Sequence, residues 1–230
     1  MIIEQPPQLY RQLFPGALWR VPRRADTVQP SVYLTFDDGP IPEVTPWVLD
    51  LLAEKGVKGT FFCVGENVWR FRSIFDRILD EGHAVGNHTY HHLQGLPTPT
   101  NRYVRDALMA DRLIQSPLFR PPHGHLGRRQ LKALSRRFHI VMWDVVTRDY
   151  SKRVQPEEVL AAVKRYTRDG SIIVFHDSLK SERNLRYALP LAIDHLLERG
   201  YRFETLPGRQ LPQQLSTPLI KRDKSGMSNK

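Results

Sequence analysis

Val32-Tyr33-Leu34-Thr35-Phe36-Asp37-Asp38-Gly39-Pro40 is an apolar run that ends in two adjacent carboxylates and is closed by Gly-Pro. Its β-branched and aromatic content is that of a buried strand, and Asp, Gly and Pro are turn formers. Side chains alternate along a strand, so the spacing predicts that Asp37 and Asp38 face different ways and do different work, one toward a metal and one toward proton transfer. Alone, Asp-Asp-Gly-Pro is an ordinary acidic turn capping a strand. Its weight comes from what recurs along the chain.

Apolar, β-rich segments return at residues 32–36, 60–64, 83–86, 140–145, 172–175 and 201–203. Between them, residues 44–52, 68–79 and 185–197 carry apolar side chains three and four apart, the stripe of a helix with one buried face. Lys55-Gly56 and Arg199-Gly200 mark helix ends, and Pro156-Glu157-Glu158 marks a helix start. Strand, helix and strand in repetition predict a mostly parallel α/β sheet or barrel, with chemistry at the carboxyl ends of its strands. The expected organisation is an irregular lead-in with a short helix over 1–30, one domain over 31–210 and a disordered basic tail over 211–230.

A chain of 230 residues, 40% hydrophobic and 25% charged, has the composition of a globular domain with its own core. No apolar run is long enough to cross a bilayer. The single cysteine, Cys63, excludes an intramolecular disulfide framework and reads as a small core residue. The net charge of +10 is spread over scattered cations, which is a solvated basic surface. Nucleic acid is therefore not an expected partner; peripheral association with an anionic membrane face is the partner class that the charge suggests. The opening residues lack a basic region followed by a continuous apolar stretch, so the expected location is cytoplasmic.

Each strong polar motif falls at the end of an expected strand. In Gly86-Asn87-His88-Thr89-Tyr90-His91-His92, one helical turn would set His88 and His92 on one side, with His91 turned elsewhere. Two imidazoles and one carboxylate can hold zinc and leave a fourth position for water. In Phe119-Arg120-Pro121-Pro122-His123-Gly124 the prolines stiffen the path and place Arg120 to grip a carboxylate. Met142-Trp143-Asp144-Val145-Val146-Thr147-Arg148-Asp149-Tyr150 offers further acids and aromatics. Ile172-Ile173-Val174-Phe175 runs directly into His176, which puts an acid or base at the mouth of the sheet.

In order and rough spacing, TFDDGP, GNHTYHH, FRPPHG, WDVVTRDY and IIVFHDS resemble the motifs of NodB-type polysaccharide deacetylases, carbohydrate esterase family 4. The resemblance spans about residues 31–206. It implies a distorted (β/α) barrel and metal-dependent removal of an acetyl group from an amino sugar such as N-acetylglucosamine, in a glycan or a precursor. It makes Asp37 the general base, Asp38, His88 and His92 the metal ligands, Arg120 the residue that orients Asp37, and His176 the general acid. The implied cofactor is a divalent metal, zinc first, with cobalt or nickel as substitutes. A backbone N–H near His123 is expected to face the oxyanion, and Trp143 and Tyr150 to form a sugar-stacking wall or part of the core.

The chain departs from the family pattern at three places. His123 stands where tyrosine is common, Val174 where leucine is common, and Val146 where the first acid of an Asp-x-x-Asp-Trp pattern would fall. The carboxylate expected to support His176 is then Asp149, with Asp144 second. Two other functions use the same residues: an esterase or amidase acting on O-acetyl xylan or a small compound, and a glycan-binding protein without turnover.

Overall fold

Strand β1, Ser31–Asp37, is buried at every residue and forms the axis of the molecule. The computed structural model describes residues 4–23 and 28–207, so the expected disordered tail over 211–230 lies outside the described residues. From β1 the chain continues through α2 (Thr45–Glu54), β2 (Thr60–Cys63), α3 (Gly65–Arg70), α4 (Arg72–Asp80) and β3 (Ala84–Asn87), after a first short helix α1 (Gln8–Arg11). Then follow α5 (Thr100–Ile114), β4 (Leu118–Phe119), α6 (Arg128–Leu134), β5 (His139–Ile140), β6 (Val145–Val146), α7 (Pro156–Tyr166), β7 (Ile172–His176), α8 (Glu182–Glu198) and β8 (Arg202–Phe203).

Seven strands pair in the order β5-β4-β3-β2-β1-β7-β6, all in parallel, and β8 lies along the start of β1. This is the expected (β/α) architecture, a parallel sheet curled into a half-barrel with helices outside it. Phe36, Phe61 and Phe175 stack across the three central strands and meet Leu49, Leu52, Leu189 and Ile193 from the flanking helices. Cys63 is fully buried, and burial pushes its thiol pKa well up, which leaves it inert as a core residue. Among the described residues, no helix is long and apolar enough to cross a membrane.

Three local expectations are corrected. Residues 68–79 form two helices, because the chain bends at Phe71 (φ −125°, ψ 50°) between α3 and α4. Residues 140–145 form two short strands, β5 and β6, on opposite edges of the sheet. Helix α5, which is not among the expected helices, buries Tyr103, Asp106, Ala107, Ala110 and Ile114. The lead-in is more ordered than irregular. Besides α1, it lays Leu18 beside β5, where the Leu18 N–H donates to the Ile140 carbonyl and the Leu18 carbonyl accepts the Met142 N–H, and it bridges Arg20 to Ser171. The first residues thus close the seam between the two edges of the sheet.

Candidate active site

At the carboxyl ends of the strands lies a cavity of about 500 Å³. Of the residues expected in a site, Asp37, Asp38, His88, His92, His123, Trp143, Tyr150 and His176 line it, together with Val146, Arg148, Val174 and Lys180. Arg120 and Asp149 stand behind the lining, each bonded to a residue in it.

Asp37 and Asp38 both border this cavity, contrary to the strand alternation expected for them. The strand stops at Asp37, and Asp38 turns into the left-handed region at φ 86°, which swings its carboxylate to the same mouth. There Asp38 Oδ1 lies 3.1 Å from His92 Nε2 and 3.8 Å from His88 Nε2. One donor atom from each of Asp38, His88 and His92 fits within a 4.8 Å cluster. His88 Nδ1 donates to the Arg120 carbonyl at 2.8 Å, so its Nε2 lone pair is the one left facing the cluster. Burial pushes the His88 pKa down to about 4, against the pull of Asp37, and so keeps the ring neutral as a ligand must be. For Asp38 burial acts upward, but the His92 hydrogen bond and the charges of His176 and His88 outweigh it and hold the carboxyl well below the usual range. One carboxylate oxygen and two imidazole nitrogens in this arrangement fit a zinc-like cation.

The histidines do not share a helical turn. Thr89 and His92 adopt positive φ (63° and 53°), and the loop is tied from α5. Asp106 accepts the N–H groups of Tyr90 and His91 at 2.8 and 3.0 Å and meets His91 Nδ1 at 2.5 Å, while Asn87 caps the Thr89 N–H at 2.9 Å. His91 is thereby turned out of the cavity, and its ring is half-exposed.

Asp37 Oδ1 accepts from Arg120 Nη1 at 2.6 Å. The fully buried guanidinium also bonds Thr35 Oγ1 at 2.8 Å and the Met142 carbonyl at 2.9 Å, and it lies 4.0 Å over the Phe62 ring. Asp37 Oδ2 is left toward the ligand cluster, 3.9 Å from His88 Nε2.

Across the sheet, the β1–β7 register pairs Asp37 directly with His176. Asp149 Oδ1 bonds His176 Nδ1 at 2.7 Å and its other oxygen accepts the His176 N–H at 2.8 Å. Burial alone would lower the His176 pKa, but the charge and hydrogen bond of Asp149, then Asp38 and Asp37, raise it to about 9. Asp144, the second candidate for this role, does not reach His176. It is fully buried at the seam between Arg11 (2.7 Å), Arg168 (2.8 Å) and Ser171 (2.8 Å).

The wall departs from the family pattern without losing its framework. Val146 presents an apolar side chain to the cavity while its N–H bonds the Glu4 carbonyl, and Arg148, at φ 59°, pairs with Glu4 at 3.3 Å. His123, at φ 58°, stands 4.9 Å from the His92 ring. Trp143 packs edge-on against Trp19 at 6.3 Å, and a Cβ on Gly124 would meet its ring at 2.3 Å, so Gly124 is what lets the indole reach the rim. Tyr150 is 44% exposed and meets the His176 ring at 4.8 Å, a rim residue and not part of the core.

Sequence reasoning missed the supports: Asp106, Asn87, Asn184, Glu4 and Asp177. Asn184 Nδ2 bonds the carbonyls of Asp149 at 2.9 Å and Val154 at 3.2 Å and so holds the loop behind His176. Asp177 is fully buried; burial raises its pKa to about 8, against bonds from Thr45 and Gly39 that favour the carboxylate. The available signal was a polar residue interrupting an apolar stripe, as at Asp106.

A curled parallel half-barrel with paired acids and histidines at its mouth carries the acid, base and ligand-type groups that hydrolysis uses. A family model described as polysaccharide deacetylase matches residues 24–137. The chain is similar to a peptidoglycan-N-acetylglucosamine deacetylase of Bacillus cereus, 38% identical over 77% of this chain and 67% of the relative. It is similar to a chitooligosaccharide deacetylase of Sinorhizobium fredii, 33% identical over 80% of this chain and 94% of that protein. The solved structure of the Bc1960 peptidoglycan N-acetylglucosamine deacetylase matches with a TM-score of 0.78 at 32% identity, covering 88% of this chain and 95% of the other. The chain belongs to the polysaccharide deacetylase family, carbohydrate esterase family 4.

Proposed function

We propose that this protein removes the N-acetyl group from N-acetylglucosamine-type residues of a glycan, with a divalent cation held by Asp38, His88 and His92. The observation that carries the reading is the pairing of Asp37 and His176 as register partners, each with its own buried counter-residue, beside one ligand cluster. A cation bound there, zinc first and cobalt or nickel as substitutes, supplies Lewis acidity toward the amide carbonyl and the attacking water. Asp37 takes the water's proton at Oδ2 while Arg120 fixes Oδ1 and keeps the carboxylate aimed. His176 gives its Nε2 proton to the departing amine, which leaves poorly unless protonated. Trp143 and Tyr150 are placed to stack on sugar faces at the rim. The names of the Bacillus and Sinorhizobium relatives support an acetylated glucosamine polymer or oligomer as substrate.

The test is acetate release by the zinc- or cobalt-loaded protein from N-acetylglucosamine oligomers and peptidoglycan fragments, with acetylated xylan alongside. Acetate from the amino sugars is expected, and Asp37→Asn should lower the rate by roughly 10²–10⁴-fold while keeping the metal. Release from xylan alone, or from nothing, rejects the assignment.

The pH profile offers a separate check. His176 works as an acid only while protonated, and against burial Asp149, with Asp38 and Asp37, raises its pKa from 6.5 to about 9. Activity should therefore fall as pH rises through the raised value, and Asp149→Asn should move that alkaline limb to lower pH. Linkage gives the same sign for stability: the His176 contribution is complete below 6.5 and is lost as pH rises toward about 9. An alkaline limb unmoved in Asp149→Asn would remove His176 from the acid role.

A further inference from the structure

We propose that Asp177, which touches neither the cavity nor the ligand cluster, is a positioning residue that sets the affinity of the metal site by holding Asp38 in its left-handed conformation. The proposal rests on the metal reading given above for Asp38, His88 and His92.

Residue 177 brackets Asp38 from both sides. Its backbone N–H donates to the Asp37 carbonyl at 3.1 Å, one residue before Asp38. Its side-chain Oδ1 accepts the Gly39 N–H at 3.0 Å, one residue after. Asp38 lies between these two bonds at φ 86°, a conformation that a residue with a Cβ adopts only when its surroundings impose it. Asn67 Nδ2 adds a bond to the Asp38 carbonyl at 2.8 Å, and the Val64 N–H adds one to the Gly39 carbonyl at 2.9 Å. The ligand carboxylate therefore projects from a turn in which the Asp37, Asp38 and Gly39 carbonyls and the Gly39 N–H are all committed to partners.

The chemistry of residue 177 is specified by what faces it. Its Oδ2 accepts from Thr45 Oγ1 at 2.5 Å, and that hydroxyl in turn accepts the Ile41 N–H at 2.8 Å. The threonine hydroxyl accepts from Ile41 and donates to residue 177, so both side-chain oxygens of Asp177 meet donors. An asparagine that keeps the Gly39 bond turns an NH₂ toward Thr45 and so gives up the bond that the Thr45 hydroxyl donates to Oδ2. The fit is also steric: a Cβ on Gly39 would stand 2.0 Å from Asp177 Oδ2, so the carboxylate occupies the space that only glycine leaves free. Asp177 is 0% exposed and is absent from the cavity lining, so its side chain bears on the ligand cluster through the Asp38–Gly39 turn.

The experiment measures zinc and cobalt dissociation constants, by calorimetry or chelator competition, for the wild type, Asp177→Asn, Thr45→Val and Thr45→Ser. Folding is followed by circular dichroism and thermal melting, and Asp144→Asn serves as a control, a buried carboxylate at the seam and remote from Asp38. Loss of such an outer partner costs roughly 10–100-fold in metal affinity. Asp177→Asn is expected to weaken binding in that range, Thr45→Val in the same direction by less, and Thr45→Ser to stay near wild type. Asp144→Asn should lower the melting temperature without moving the metal affinity. Wild-type affinity in folded Asp177→Asn and Thr45→Val overturns the proposal. Equal weakening in Asp144→Asn also overturns it, since the effect is then general loss of structure. A wild-type chain that takes up neither cation overturns the metal reading itself, an outcome distinct from either of these.

Discussion

His88→Ala is expected to abolish acetate release and to leave the purified protein without stoichiometric divalent metal. The substitution removes one of three donors in a cluster whose atoms lie within 4.8 Å of each other. It also removes the ring that Arg120 holds through its backbone carbonyl at 2.8 Å. The loss of metal affinity should exceed the roughly 10–100-fold that an outer partner costs. His91→Ala is the matched control, because His91 answers to Asp106 at the surface and not to the cluster. Metal analysis by elemental mass spectrometry and acetate release should therefore separate two histidines three residues apart in sequence. Retained metal in His88→Ala would contradict the ligand assignment directly.

Arg120→Leu is expected to be the most destabilising single change at the site. It leaves the buried Asp37 carboxylate without its counter-charge, a class of change that costs roughly 3–5 kcal/mol. For a domain of this size that corresponds to a drop in Tm of about 10 °C. Arg120→Lys should not restore the wild type, because one ammonium cannot span Asp37, Thr35 and the Met142 carbonyl while lying flat over Phe62. Thermal and urea unfolding of both variants, with Asp37→Asn/Arg120→Leu as the double variant, measures the pair. A double variant as unstable as Arg120→Leu alone would mean that the arginine matters to the fold apart from Asp37.

The strands that lead into Asp37, His88 and His176 were legible because each is a short β-rich segment that ends at a polar group. The runs β4, β5 and β6, two residues each, fall below what periodicity resolves. The His88–His92 spacing identified the pair but implied the wrong local geometry. The loop is set by Asp106 and Asn87, and Asp106 lies on a helix that the sequence hides behind alanines. The choice between Asp149 and Asp144 could not be made locally either. Asp144 is claimed by Arg11 and Arg168, which come from distant parts of the chain and meet at the seam. Identities at strand ends follow from local pattern, whereas loop geometry and second partners follow from contacts made across the fold.

Strands β1 and β7 are buried along almost their whole length, so alternating exposure to solvent, which usually penalises a one-residue slip, says little about how they align. The alignment is marked instead by polar bonds: Ser31 to Asp169 at the start, Thr35 to Ile173 in the middle, and Asp37 and Gly39 to Asp177 at the end. A slip by one residue would set His176 opposite Phe36 or Asp38 and forfeit these bonds together. The groups at the mouth therefore act as registration marks for the central sheet, and the chemistry of the site and the correct pairing of the barrel are selected as one property.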